Sequence, residues 1–186
     1  MPTTLGFIGL GTMGAPMARN LLNRGYGITV WARRPEAMGP LVAAGAAAGE
    51  SAAHVAAASD IIITMVTDTR AVEDVILGEQ GIARGARTGS LVIDHSTIEP
   101  AGARRIAGEL HARGVEMLDA PVSGGSAAAE AGTLAIMVGG SKAALDRANP
   151  VLSCYPKSIV HIGPSGGGQV VKGCNQICTI INQDGA

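Results

Sequence analysis

Two groups of residues in this 186-residue sequence could do chemistry. The first is Gly9-Leu10-Gly11-Thr12-Met13-Gly14, which fits G-x-G-x-x-G. It follows the apolar run "LGFIGL" and opens a helical stretch, the context the pattern requires. Gly9 permits a tight turn, Gly11 lets the backbone approach a pyrophosphate, and Gly14 allows close helix–strand packing. The helix N-terminus offers unpaired N–H groups and a positive dipole end to phosphates. The second group lies in "GGGQVVKGCNQI". Lys172, Asn175 and Gln176 are spaced i, i+3, i+4 there and share one helix face. On its own, a lysine on a helix reads as a surface residue.

The stretch "WARRP" bears on which dinucleotide would bind. An NAD site usually carries Asp or Glu about 20 residues past the glycines, on the ribose 2′-hydroxyl. Here Ala32 takes that place, and Arg33 and Arg34 follow. Guanidinium groups pair with phosphate through two hydrogen bonds, which suits a 2′-phosphate. The reading favours NADP(H) over NAD.

The elements that must position these residues alternate along the chain. "LGFIGL", "GITVWA", "DIIITMV", "SLVIDHS", "VEMLD", "TLAIMVGG" and "SIVHIG" read as strands. Between them lie helical stretches. "TMGAPMARNLLNRG" closes at Gly25, "PEAMGPLVAAGA" is interrupted at Gly39-Pro40, and "AAHVAAAS" takes Ser51 as N-cap. "TRAVEDVIL", "PAGARRIAGELHARG" and "KAALDRANPVLSCY" complete the set. This alternation predicts an α/β fold with a doubly wound, mostly parallel Rossmann-type sheet.

Composition excludes several alternatives. A net charge of −1 gives no electrostatic case for nucleic acid or an anionic membrane. Aromatic residues are 2% of the chain, so the core must be aliphatic and stacking on aromatic platforms is not expected. Cys154, Cys174 and Cys178 have no metal spacing, and Cys174 and Cys178 read as buried thiols on one apolar helix face. No metal site and no Ser/His/Asp set is expected; His161 reads as packed in the last strand and His95 as non-catalytic. The N-terminus lacks the charged region of a signal peptide, and no run approaches a membrane span. These features predict a soluble, cytoplasmic protein.

"GFIGLGTMGAPMARNLL", "DAPVSGGSAAAEAGTLAIMVGG" and "GGGQVVKGCNQI" occur in order and at fitting spacing. With them the sequence, from Leu5 to about Ile181, resembles the β-hydroxyacid dehydrogenases. That family includes 3-hydroxyisobutyrate dehydrogenase and tartronate semialdehyde reductase, with 6-phosphogluconate dehydrogenase a more distant relative. The resemblance implies an NAD(P)-dependent oxidoreductase acting on a small carboxylate, a short β-hydroxy acid or its semialdehyde. It implies that Met65 and Val66 line the coenzyme and that Thr97 lies near the nicotinamide. Ser123, Gly124 and Gly125 would hold the substrate carboxylate. Lys172 would be the catalytic, proton-transferring lysine, with Asn175 beside it. Many relatives carry Asn where Gln176 stands, so the substrate amide is Asn175 or Gln176. Ala128 replaces a glycine common in the family.

The resemblance also implies a division at residues 1–163, the dinucleotide-binding domain, and 164–186, the start of an interdomain helix. In the family that helix leads into an all-α domain, and the expectation here is a chain without it, with little turnover as the alternative. The apolar stripe Val170, Cys174, Ile177, Cys178 and Ile181 would need a cover, which predicts a homodimer through the last helix. Asp184-Gly185 is expected to end that helix.

Overall fold

Continuous apolar runs become strands, and nearly all of them pair in parallel. In the computed structural model, which describes residues 3–184, the strands are β1 (Leu5–Ile8), β2 (Ile28–Trp31), β3 (Ala47–Ala48), β4 (Ile61–Thr64) and β5 (Leu91–Asp94). β6 (Glu116–Asp119), β7 (Val122–Ser123), β8 (Leu134–Gly139) and β9 (Pro156–Gly163) follow. They form one sheet in which β3, β2, β1, β4, β5 and β6 lie side by side and parallel. β8 then runs antiparallel to β6 and β7 and parallel to β9.

The helices are α1 (Gly14–Asn23), α2 (Gly39–Val42), α3 (Ala52–Ala57), α4 (Thr69–Leu77), α5 (Ile82–Gly85), α6 (Pro100–His111), α7 (Gly125–Ala131), α8 (Lys142–Leu152) and α9 (Gly167–Asp184). Strand side chains alternate between two aliphatic cores, as the period of two requires. Phe7, Ile61, Ile63 and Ile93 pack with Met17 and Leu21 of α1 and Leu145 of α8. Ile8, Ile62 and Val92 pack with Val55 of α3, Val72 of α4 and Ile106 of α6. The sheet is therefore covered on both faces, the doubly wound architecture expected.

Local signals explain several boundaries. Ser51 caps α3 by accepting from His54 N at 3.1 Å, and Asp68 caps α4 by accepting from Ala71 N at 2.9 Å. Gly25, with φ 85°, lets the chain leave α1. The interrupted helix divides at Gly39, a 3₁₀ turn over Pro35–Met38 preceding α2. The two-residue strands β3 and β7 and the short helices α5 and α7 were not expected.

Two expectations about side chains are corrected. Cys174 and Cys178 are exposed, and Cys154 is half-buried. The stripe they share with Val170, Ile177 and Ile181 faces outward, at 49%, 60% and 65% exposure for those three. Periodicity identified the apolar face of α9, but no described element packs over it. His161 is likewise exposed on β9, its Nε2 within 2.9 Å of Gly140 O. The expected break at Asp184-Gly185 lies outside the described residues. No helix among the described residues is long and apolar enough to cross a membrane.

Candidate active site

Strand order reverses at β1 and β4, because the chain winds from β1 to β2 and β3 on one side and continues with β4 and β5 on the other. In such sheets ligands bind beyond the strand C-termini at this point. A cleft of about 450 Å³ opens there. Gly9 through Gly14 line it, with Arg33, Arg34, Met65 and Val66. Thr67, Asp74 and Gln80 also reach it, which the sequence reading missed.

The glycines differ in what they permit. Gly9 has φ 95°, and a Cβ there would collide with the Met65 carbonyl. A Cβ on Gly14 would collide with the Gly9 carbonyl. A Cβ on Gly11 would meet nothing within 4 Å, so the backbone at Gly11 faces open space. α1 has no acidic residue in its first turn and no side-chain cap. In that first turn Ala15 N–H donates to Gly11 O, Met17 N–H donates to Met13 O and Pro16 has no N–H, so the open backbone at Gly11 and the positive end of α1 are what fit a dinucleotide pyrophosphate. Ala32 is 8% exposed, while Arg33 and Arg34 are exposed. Neither arginine forms an ion pair among the described residues.

A second cluster forms where α9 meets β7. Lys172 is only 7% exposed, and its Nζ donates to Gln176 Oε1 at 3.1 Å. Burial lowers its pKa below the ordinary lysine value. Among the described residues no carboxylate pairs with it. Asn175 Nδ2 donates to Ser123 Oγ at 3.3 Å, which leaves the Ser123 hydroxyl free to donate elsewhere. Gly124 and Gly125 follow with φ 135° and 71°, a turn only glycine adopts readily. Ser123, Asn175, Lys172 and Gln176 are therefore brought together. Thr97 does not line the cleft; it is exposed on the turn after β5.

Buried polar residues hold these pieces in place, and sequence reasoning did not single them out for it. Asp94 Oδ1 accepts from Thr64 Oγ1 at 2.8 Å and Ser96 N at 3.1 Å. Ser96 Oγ accepts from Val66 N at 3.0 Å, tying the β5 turn to the cleft. Among the described residues Asp94 Oδ2 has no partner, and burial pushes the carboxyl up to about 6. His95 Nδ1 lies 2.6 Å from Ala120 O and Nε2 lies 2.8 Å from Tyr155 Oη. A carbonyl only accepts, so Nδ1 carries the hydrogen and Nε2 accepts from the tyrosine. Burial lowers the His95 pKa to about 4 and raises that of Tyr155. Asp119 takes N–H groups from Gly166 and Gln169 at the start of α9; burial still raises its pKa. A strand ending in a lone carboxylate, as in "LVID" and "EMLD", was the available signal.

Residues 4–163 match the family described as the NAD binding domain of 6-phosphogluconate dehydrogenase. The NAD-dependent L-serine dehydrogenase of Pseudomonas aeruginosa is 47% identical over 171 residues, covering 92% of this chain and 57% of that protein. The 2-hydroxy-3-oxopropionate reductase of Escherichia coli is 44% identical, covering 96% and 61%. The structure of Mycobacterium tuberculosis 3-hydroxyisobutyrate dehydrogenase with L-serine superposes with a TM-score of 0.93 at 39% identity, covering 100% of this chain and 62% of that one. Psf3 in complex with NADP+ and 2-OPP gives a TM-score of 0.93 at 28% identity, covering 97% and 64%. The chain thus spans less than two thirds of each of these relatives. Fold, glycine turn and sequence agree: the chain belongs to the β-hydroxyacid dehydrogenase family, of which it covers the NAD-binding domain.

Proposed function

We propose that this chain is the coenzyme-binding part of an NADP(H)-dependent oxidoreductase that interconverts a short β-hydroxy acid and its semialdehyde. The observation that carries this is Lys172, a buried amine with no carboxylate partner among the described residues, on the same helix turn as Asn175, which bonds Ser123. A nicotinamide coenzyme supplies the hydride of such a reduction when bound. The Lys172 ammonium donates the proton that the carbonyl oxygen gains, and in the oxidative direction its neutral amine accepts one. The lowered pKa assists the oxidative direction, since more of the amine is neutral. The Ser123 hydroxyl and the N–H groups of Gly124 and Gly125 hold the substrate carboxylate. Arg33 and Arg34 on the cleft support NADP(H), and the NAD-dependent P. aeruginosa relative makes NAD the competing coenzyme. The outward stripe of α9 supports a homodimer, which light scattering would read directly.

Titration with NADPH and NADH, then NADPH oxidation with tartronate semialdehyde, glyoxylate, succinic semialdehyde and methylmalonate semialdehyde, tests the proposal. Turnover of at least one aldehyde is the expected result. Coenzyme binding without any turnover supports a second reading, a binding module that needs further protein around the exposed face of α9. Absence of coenzyme binding overturns both.

A further inference from the structure

Gln169 is 3% exposed and lies one turn before Lys172 on α9. Its side-chain amide uses both ends on a single turn of the chain. Oε1 accepts from Ile98 N at 3.0 Å, and Nε2 donates to Ser96 O at 2.8 Å. Those two peptide groups flank Thr97. A parallel strand neighbour pairs with residue 97 in the same way, taking the N–H of the residue after it and the C=O of the residue before it. The Gln169 amide therefore stands in for the N–H and C=O of one residue of an extra parallel strand.

The Gln169 backbone is fixed as well. Its N–H donates to Asp119 Oδ2 at 3.1 Å, so main chain and side chain are anchored on different elements. On the far side of the turn, Ser96 Oγ accepts from Val66 N at 3.0 Å, and Val66 lines the cleft. A continuous set of hydrogen bonds thus runs from the cleft through the Thr97 turn to the helix that carries Lys172.

We propose that Gln169 is a positioning residue that sets the Thr97 turn, and with it the Val66 wall of the cleft, at a fixed offset from the Lys172 amine. The purpose of that offset rests on the proposed dehydrogenase activity; the grip itself concerns only this chain's own atoms. The chemistry demands Gln. An ionised Glu accepts from Ile98 N but sets a carboxylate against the Ser96 carbonyl. A protonated Glu regains a donor beside an acceptor. Leu fills similar space and leaves two buried peptide groups unpaired.

The test uses the coenzyme-free chain, with amide hydrogen exchange at Ile98 and the titration of the Lys172 ε-methylene read by NMR. Gln169→Leu is expected to speed Ile98 exchange by about tenfold, the scale of one buried hydrogen bond, with exchange at Phe7 unchanged. The Lys172 pKa rises toward its ordinary value as the turn and helix separate. Gln169→Glu behaves like Gln169→Leu at alkaline pH and reverts to parental exchange and titration once the pH falls below the introduced carboxyl's pKa. Unchanged Ile98 exchange in Gln169→Leu overturns the grip. Faster exchange with an unmoved Lys172 titration overturns the positioning role. Failure of the parent chain to bind NADPH would instead sink the dehydrogenase reading, and both NMR results would still decide the grip.

Discussion

Asp94 and Asp119 are register partners at the C-terminal ends of adjacent parallel strands, both buried and unequally satisfied. Asp119 receives two N–H groups from the start of α9, whereas one oxygen of Asp94 has no partner among the described residues. Desolvation, with the neighbouring Asp119 charge adding to it, holds the Asp94 carboxyl at about 6 against an ordinary 3.8. Burial raises both carboxyls, and Asp94 is the less satisfied of the two.

That placement predicts a pH signature. Between pH 3.8 and about 6 the folded state binds a proton at Asp94 that the unfolded chain has released. The stabilising contribution is full below the unfolded value and is lost as pH rises through the folded one. Asp94→Asn is therefore expected to gain stability relative to the parent, by about 3 kcal/mol, between pH 4 and 7. Urea unfolding at a series of pH values reads the difference; parallel curves for the two proteins would refute it. His95 works in the opposite sense. Its pKa is lowered from 6.5 to about 4, so its contribution is present above 6.5 and lost as pH falls through 4. In Asp94→Asn only Asp119 of the strand-end pair, its pKa also raised by burial, remains to oppose that acid-side loss.

Lys172→Met separates function from stability. Removing a desolvated amine that lacks a carboxylate partner among the described residues is expected to stabilise the fold by about 1 kcal/mol. Aldehyde reduction falls by about 10²–10⁴-fold, the usual contribution of a positioned acid, while NADPH affinity stays within about threefold. Thermal denaturation, turnover and coenzyme titration check the three parts. Equal losses of binding and turnover would contradict the proton-transfer role.

Gly11 and Gly14 belong to one motif but predict different failures. Gly14→Ala drives a Cβ into the Gly9 carbonyl and is expected to cost about 1–3 kcal/mol of stability. Gly11→Ala points into open space, so the melting temperature stays put while coenzyme affinity falls by at least about tenfold. Calorimetry paired with coenzyme titration distinguishes them. A stable Gly11→Ala chain with parental affinity would remove the pyrophosphate from that surface.

Arg33→Ala tests coenzyme choice. With no ion pair of its own among the described residues, Arg33 can be removed without stranding a partner. NADPH affinity is expected to drop about tenfold and NADH affinity by less than about twofold, a difference the size of one charge-assisted phosphate contact. An unchanged ratio of the two constants would return the choice to NAD.

The sequence revealed elements whose pattern is long and repeated. Ile61–Thr64 and Leu91–Asp94 are continuous apolar runs, and their parallel placement followed from the spacing between them. Two residues carry no period, so Ala47–Ala48 and Val122–Ser123 were invisible as strands. Gly9 to Gly14 announced the cleft because a strand–turn–helix context surrounds them. Gln169 announced nothing, and Asp119 showed only as a carboxylate closing an apolar strand, since their partners lie 71 and 47 residues away on other elements. The burial of Lys172 was equally illegible, and a stripe such as Cys174–Cys178 says which face is apolar without saying what covers it.

The carboxylate of Asp119 gives the last helix a fulcrum. Gly166 and Gln169 are pinned to it at one end of an 18-residue rod. At 1.5 Å per residue, Lys172 sits about 4.5 Å beyond Gln169, whereas Asp184 sits about 22 Å beyond it. A tilt that swings the outer end by about 5 Å therefore moves the lysine by only about 1 Å. The outer turns can shift while the amine keeps its station.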